Sequence, residues 1–196
     1  RYIGSALVLL ASTGAVLTSL GYLERERLVA PEYYVLVLLA VIGMLFMVNA
    51  QDLIVLFLGL ETMSVAVYVL AGFNRANAFS AEAALKYLVL SGTASASFLM
   101  GASLMYGSTG SLGLASFGTA LSSPDLLART AVVMVVSSFF LKAAIVPFHG
   151  WAPDAYEAAS VPSTAYMATL VKAGVLIAAA RVFGTASALA SLDPQF

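Results

Sequence analysis

Five ionisable residues sit where apolar sequence leaves them little access to water: Glu61, Lys86, Lys142, His149 and Lys172. Glu61 has eight apolar or small residues before it back to Leu53, about 12 Å at the helical rise, too far for a carboxylate to reach past. An ion at such a depth in a bilayer costs several kcal/mol, so it must be paired, hydrated or protonated, and its default role is in an ion or proton pathway. Lys142 follows a long, largely apolar run, and Lys172 lies well inside the last apolar segment. A lysine withdrawn from water gives up and regains a proton readily, and a neighbouring carboxylate favours its charged form. Two such lysines in one interior titrate as a coupled set. His149 is the only histidine and exchanges protons near neutral pH, although a single histidine is as often structural. Lys86 lies only a few residues into its segment and is able to extend its stem to an interface. Glu82, four residues earlier, is placed to pair with it. Asp154 and Glu157 are expected near the aqueous rim, outside the path.

Groups of this kind on separate segments suit a proton relay better than a catalytic pair. One histidine and no cysteine exclude a multi-histidine or cysteine-rich metal site built from this chain. No glycine-rich phosphate loop follows a strand. A net charge of −1 provides no basic field for nucleic acid, and without cysteine the redox compartment stays open.

The elements that position these residues are membrane helices. Hydrophobic residues make up 61% of the 196, charged residues 10%, and the mean hydropathy is +0.97. Soluble domains carry about 25% charged residues, and a helix crosses a bilayer core in about 20. Six apolar segments follow, at roughly 3–23, 33–49, 53–72, 83–106, 127–146 and 163–183. The short turn through Asn49, Gln51 and Asp52 makes the second and third antiparallel neighbours. Ser80 is a candidate N-cap ahead of Glu82, and Gly107 to Pro124 reads as the longest flexible connection. The fifth segment carries Lys142 near its far end and then Pro147, so it is expected to break between them. Broken helices at membrane depth face protein or a wet cavity, and transporters place ion sites there. Arg25, Arg27 and Arg75 on one side balance Arg1, Arg129 and Arg181 on the other, so charge sets no orientation. The chain is expected to be a piece of a longer protein.

Three stretches add a family resemblance. Phe57-Leu58-Gly59-Leu60-Glu61 runs on through Ser64 to Tyr68-Val69-Leu70-Ala71-Gly72-Phe73. Ser80 to Tyr87, with Lys86, leads to Leu104-Met105-Tyr106-Gly107 and Thr109-Gly110-Ser111. Lys142 precedes Pro147-Phe148-His149, Trp151, Pro153-Asp154, Tyr156-Glu157 and Pro162, then Met167-Ala168-Thr169 and Lys172. In these the chain resembles the antiporter-like membrane subunits of respiratory complex I (NADH:quinone oxidoreductase), and most closely the N-type, subunit 2. The resemblance implies an all-α membrane protein of about six transmembrane helices with the fifth discontinuous. These would be the family's helices three to eight: residues 1–32 as a preceding helix and loop, and 33–183 as the first five-helix inverted repeat. Glu61, Lys86, Lys142, His149 and Lys172 match the family's proton-relay positions and would form a half-channel, with the second repeat outside this chain.

The implied function is proton translocation as a subunit of a quinone-linked NADH dehydrogenase in the bacterial inner membrane. The implied partners are the other membrane subunits, the lipid bilayer and protons, with no nucleic acid and no soluble substrate bound directly. No metal and no redox cofactor are expected in this chain itself. Ala158 and Ser160 stand where the family usually has Gly and Pro, which puts the geometry of 154–162 in question. A cation/proton antiporter subunit, a membrane-bound hydrogenase subunit and a structural membrane scaffold are the alternatives.

Overall fold

Apolar runs without interior proline fold as helices, because in lipid every backbone polar group must be satisfied within its own segment. The computed structural model describes residues 2–28 and 31–190, except for the side chains of 186–190. Arg1, one of the arginines in the charge tie, lies outside them. The helices are α1 (Tyr2–Arg25), α2 (Pro31–Asn49), α3 (Leu53–Ala71), α4 (Ala78–Thr109), α5 (Ala115–Ser122), α6 (Leu126–Lys142), α7 (Ala152–Ala158), α8 (Val161–Tyr166) and α9 (Lys172–Ala190). A π-helical stretch, Met167–Val171, joins α8 to α9 in one continuous run. Among the described residues, α1 to α4 and the run Val161–Thr185 are long and apolar enough to cross a membrane. The fifth expected segment is α6, shorter at 17 residues.

Starts and stops follow side-chain chemistry. Asp52 accepts from Val55 N at 2.8 Å and caps α3, and Asp125 accepts from Leu127 N at 3.2 Å and caps α6. Ser80 is not the N-cap of α4. That place belongs to Asn77, which accepts from Phe79 N at 3.0 Å, so the helix begins earlier. The Ser80 hydroxyl is buried and donates instead to Ala71 O at 2.8 Å, tying α4 to the end of α3. The connection expected to be the longest flexible one is also structured. α4 runs on to Thr109 and α5 occupies 115–122. Leu53 N and Leu114 N donate to Leu112 O (2.8 Å) and Gln51 O (3.0 Å) across a small bridge at Asp52 and Gly113.

The expected break falls immediately after Lys142. Ile145 N donates to Phe140 O at 2.9 Å and Ala144 N to Leu141 O at 3.2 Å, with Ala144 left-handed at φ 56°. This closes α6 by the paired bonds that usually end on glycine. The peptide between Val146 and Pro147 is cis. α2 and α3 pack at their glycines: a Cβ on Gly59 would lie 2.7 Å from Gly43 O and from Met47 N. Only hydrogen allows that approach, as at other small-residue interfaces between membrane helices. Their tight pairing fixes the helix that carries Glu61.

Candidate functional site

Glu61, Ser64 and Tyr68 stand at i, i+3 and i+7 on α3, so they share one face. Lys142, the last residue of α6, reaches that face. Its Nζ lies 3.2 Å from Glu61 Oε1, and donates to Ser64 Oγ at 2.8 Å and Tyr68 Oη at 3.3 Å. Ser95 of α4 donates to the same Glu61 oxygen. The lysine side chain is 2% exposed and the glutamate 31%. The position is favourable in one further way: the C-terminal end of a helix carries partial negative charge, which suits an ammonium on its last residue. Three helices thus converge on one buried ion pair whose cation has a full set of oxygen partners.

Lys86 belongs to a second cluster. Its Nζ lies 2.9 Å from Glu82 Oε1, one turn away on α4, and 2.7 Å from Asp154 Oδ2 on α7. These residues, with Asn77, Phe79 and Glu157, line a cleft of about 330 Å³. Asp154, expected at the rim, is therefore a direct partner of Lys86. Lys172 stands half-buried at the start of α9, just after the π-helical stretch. Its Nζ lies 5.2 Å from the centre of the Tyr156 ring, and among the described residues no carboxylate forms an ion pair with it. His149 is exposed in the turn between α6 and α7, where its carbonyl accepts from Ala152 N. The structure therefore brings Glu61 and Lys142 together and leaves Lys86, Lys172 and His149 each in separate surroundings.

The chain is similar to known proteins in sequence and fold. Residues 50–192 fit the profile of the NADH:quinone oxidoreductase/Mrp antiporter transmembrane family. The chain belongs to that family. NADH-quinone oxidoreductase subunit N of Maricaulis maris is 43% identical over 183 residues, covering 93% of this chain and 38% of that protein. Respiratory complex I from Thermus thermophilus contains a chain that superposes with a TM-score of 0.76 at 35% identity, over 97% of this chain and 41% of its own. A chain of the Mrp complex from Dietzia superposes with a TM-score of 0.71 at 29% identity, over 77% of this chain and 29% of its own. The chain thus spans about two-fifths of the length of its subunit N relatives. It is an all-α, multi-pass protein of the bacterial inner membrane.

Within this family fold, several residues at the site carry no role in the sequence reading. Ser64 and Tyr68 are visible there, since their spacing from Glu61 puts them on its face, but nothing marks them as partners of Lys142. Ser95 looks like one of a run of small packing residues. Its bond to Glu61 depends on how α4 crosses α3.

Proposed function

We propose that this chain is part of an N-type, proton-translocating membrane subunit of an NADH:quinone oxidoreductase, and that it forms one half-channel. Residues 33–183 would be the first inverted repeat, with 1–32 preceding it. The observation that carries this reading is Lys142, a buried ammonium at a helix break held by Glu61, Ser64 and Tyr68. While Glu61 stays in place the ammonium is compensated. If a charge change elsewhere in the assembly draws Glu61 away, Lys142 keeps only two neutral hydroxyls. A buried charge that loses its partner costs roughly 3–5 kcal/mol. Carrying one charge against 100 mV costs about 2.3 kcal/mol, so that penalty is large enough to expel the proton towards Lys172. Lys86 and Asp154 at the open cleft would serve the outer end of the path, and His149 the turn beside the break. The redox chemistry and its cofactors would belong to other subunits, with the other membrane subunits as partners.

Lys142→Met in the full-length protein within the assembled complex is expected to lower the protons pumped per electron. An unchanged ratio in a normally assembled complex would reject the proposal. The likeness to the Mrp chain supports a second reading, cation/proton exchange without a redox partner. Sodium-driven proton movement in vesicles lacking NADH would favour it.

A further inference from the structure

A chain of aromatic contacts leads from one to the other of the two lysines proposed to exchange a proton. Lys142 touches the Tyr68 hydroxyl at 3.3 Å, and the Tyr68 ring meets Tyr87 edge-on at 4.8 Å between centres. Tyr87 stacks face to face on Trp151 at 4.0 Å, 3° from parallel. Trp151 meets Tyr156 edge-on at 6.0 Å, and the Lys172 Nζ lies 5.2 Å from the centre of the Tyr156 ring. Tyr87 and Trp151 are almost wholly buried. The faces of stacked rings neither accept nor pass on a proton, so no water file runs through this stack while the rings stay in contact.

Two further observations bear on how such a barrier would open. Trp151 Nε1 donates to Leu141 O at 2.9 Å, the residue before Lys142, so the indole is tied to the same broken helix end as the ammonium. The hydroxyl oxygen of Tyr156 is buried without a hydrogen-bond partner among the described residues. A buried polar atom of that kind is a docking point for an internal water.

We propose that the Tyr87–Trp151 stack is a gate between Lys142 and Lys172, and that the Tyr156 hydroxyl holds the first water admitted when it parts. The inference rests on the relay reading above and adds its control point. A shift of the α6 end that loosens Lys142 from Glu61 also moves Leu141 O, and with it the indole. Water then enters between the rings. The Lys142 ammonium loses a proton to that water and becomes a neutral amine. The water passes a proton to the neutral Lys172 amine, which becomes an ammonium, so only N–H and O–H bonds change. Trp151 and Tyr156 are positioning residues here, and neither is consumed or charged.

The test uses the full-length protein in the assembled complex, reconstituted in vesicles and driven by NADH. Protons pumped per electron and the decay of the gradient at rest are both normalised to the amount of assembled complex. Tyr156→Phe keeps the ring and removes the hydroxyl; a loss of proton yield is expected without added leak. Trp151→Leu removes half of the stack; faster gradient decay at rest is expected. A purely structural role would change the amount of complex and neither ratio. An unchanged yield in Tyr156→Phe, or an unchanged leak in Trp151→Leu, overturns the gate. Should Trp151→Leu fail to assemble, the Tyr156→Phe yield decides alone. Lys142→Met, run alongside, separates the two claims. If it loses yield while the aromatic variants behave as native, the gate is wrong and the relay stands. If it too behaves as native, both fall.

Discussion

Lys142 and Lys86 both bind carboxylates across a helix–helix contact, yet they are built for different tasks. The Lys142 side chain is 2% exposed, with a single carboxylate and two hydroxyls around it. Lys86 is 48% exposed and binds two carboxylates, on α4 and α7, beside an open cleft. Solvated and half-exposed pairs gain little from one another, because water competes and salt screens them. A buried pair is held in place by the lack of any alternative, so losing one member is costly. The deep pair can therefore work as a switch, while the outer cluster at the mouth of the path, already weakened by water, loses little stability when one carboxylate is changed.

Removing the carboxylate from each cluster breaks this comparison most severely. Glu61→Gln strands the buried ammonium and is expected to destabilise the protein by about 3–5 kcal/mol, read as a lower melting temperature in detergent. Asp154→Asn leaves Lys86 with Glu82 and is expected to shift the melting temperature little, by an amount that fades with added salt. Equal losses from the two changes would erase the distinction. Ser64→Ala sharpens it, since it removes a neutral partner from the deep ammonium alone. A loss of about 1.5–3 kcal/mol is expected, the range for hydrogen bonds to charged groups; no measurable change would mean that Ser64 is dispensable to Lys142. The smallest effect concerns the backbone that presents Lys142. Ala144 sits at φ 56°, a conformation that costs an L-residue about 1–2 kcal/mol. Ala144→Gly should therefore raise stability by up to about 1 kcal/mol in thermal unfolding, and a decrease would show that the Ala144 methyl contributes packing that outweighs the relief.

Much of the deep centre is legible in the sequence because its logic is depth. Glu61 is far from any polar stretch, and Lys142 is followed by Pro147, so both a buried charge and a helix break follow from one-dimensional spacing. The six segments are legible for the same reason. The pairing of Glu82 with Lys86 needs only the i,i+4 rule and is seen at 2.9 Å. What the sequence leaves open depends on how helices cross. Asp154 reaches Lys86 from 68 residues away, and no local pattern specifies that contact. Ser95 reads as a packing residue until α4 lies against Glu61. The N-cap of α4 moves from Ser80 to Asn77 because Ser80 has a better use against Ala71 O. The fold of 107–124 depends on pairing with Gln51 to Leu53, which composition rich in glycine and serine does not reveal.

The central claim is that the Glu61–Lys142 pair moves charge and does not serve merely as a strut. The double variant Glu61→Gln with Lys142→Met tests it most directly, because it removes both charges and leaves neither stranded. In full-length protein within the assembled complex, it is expected to assemble better than Glu61→Gln alone yet pump fewer protons per electron than the native complex. A double variant that assembles and pumps at the native ratio would contradict the account and leave the pair a structural bridge.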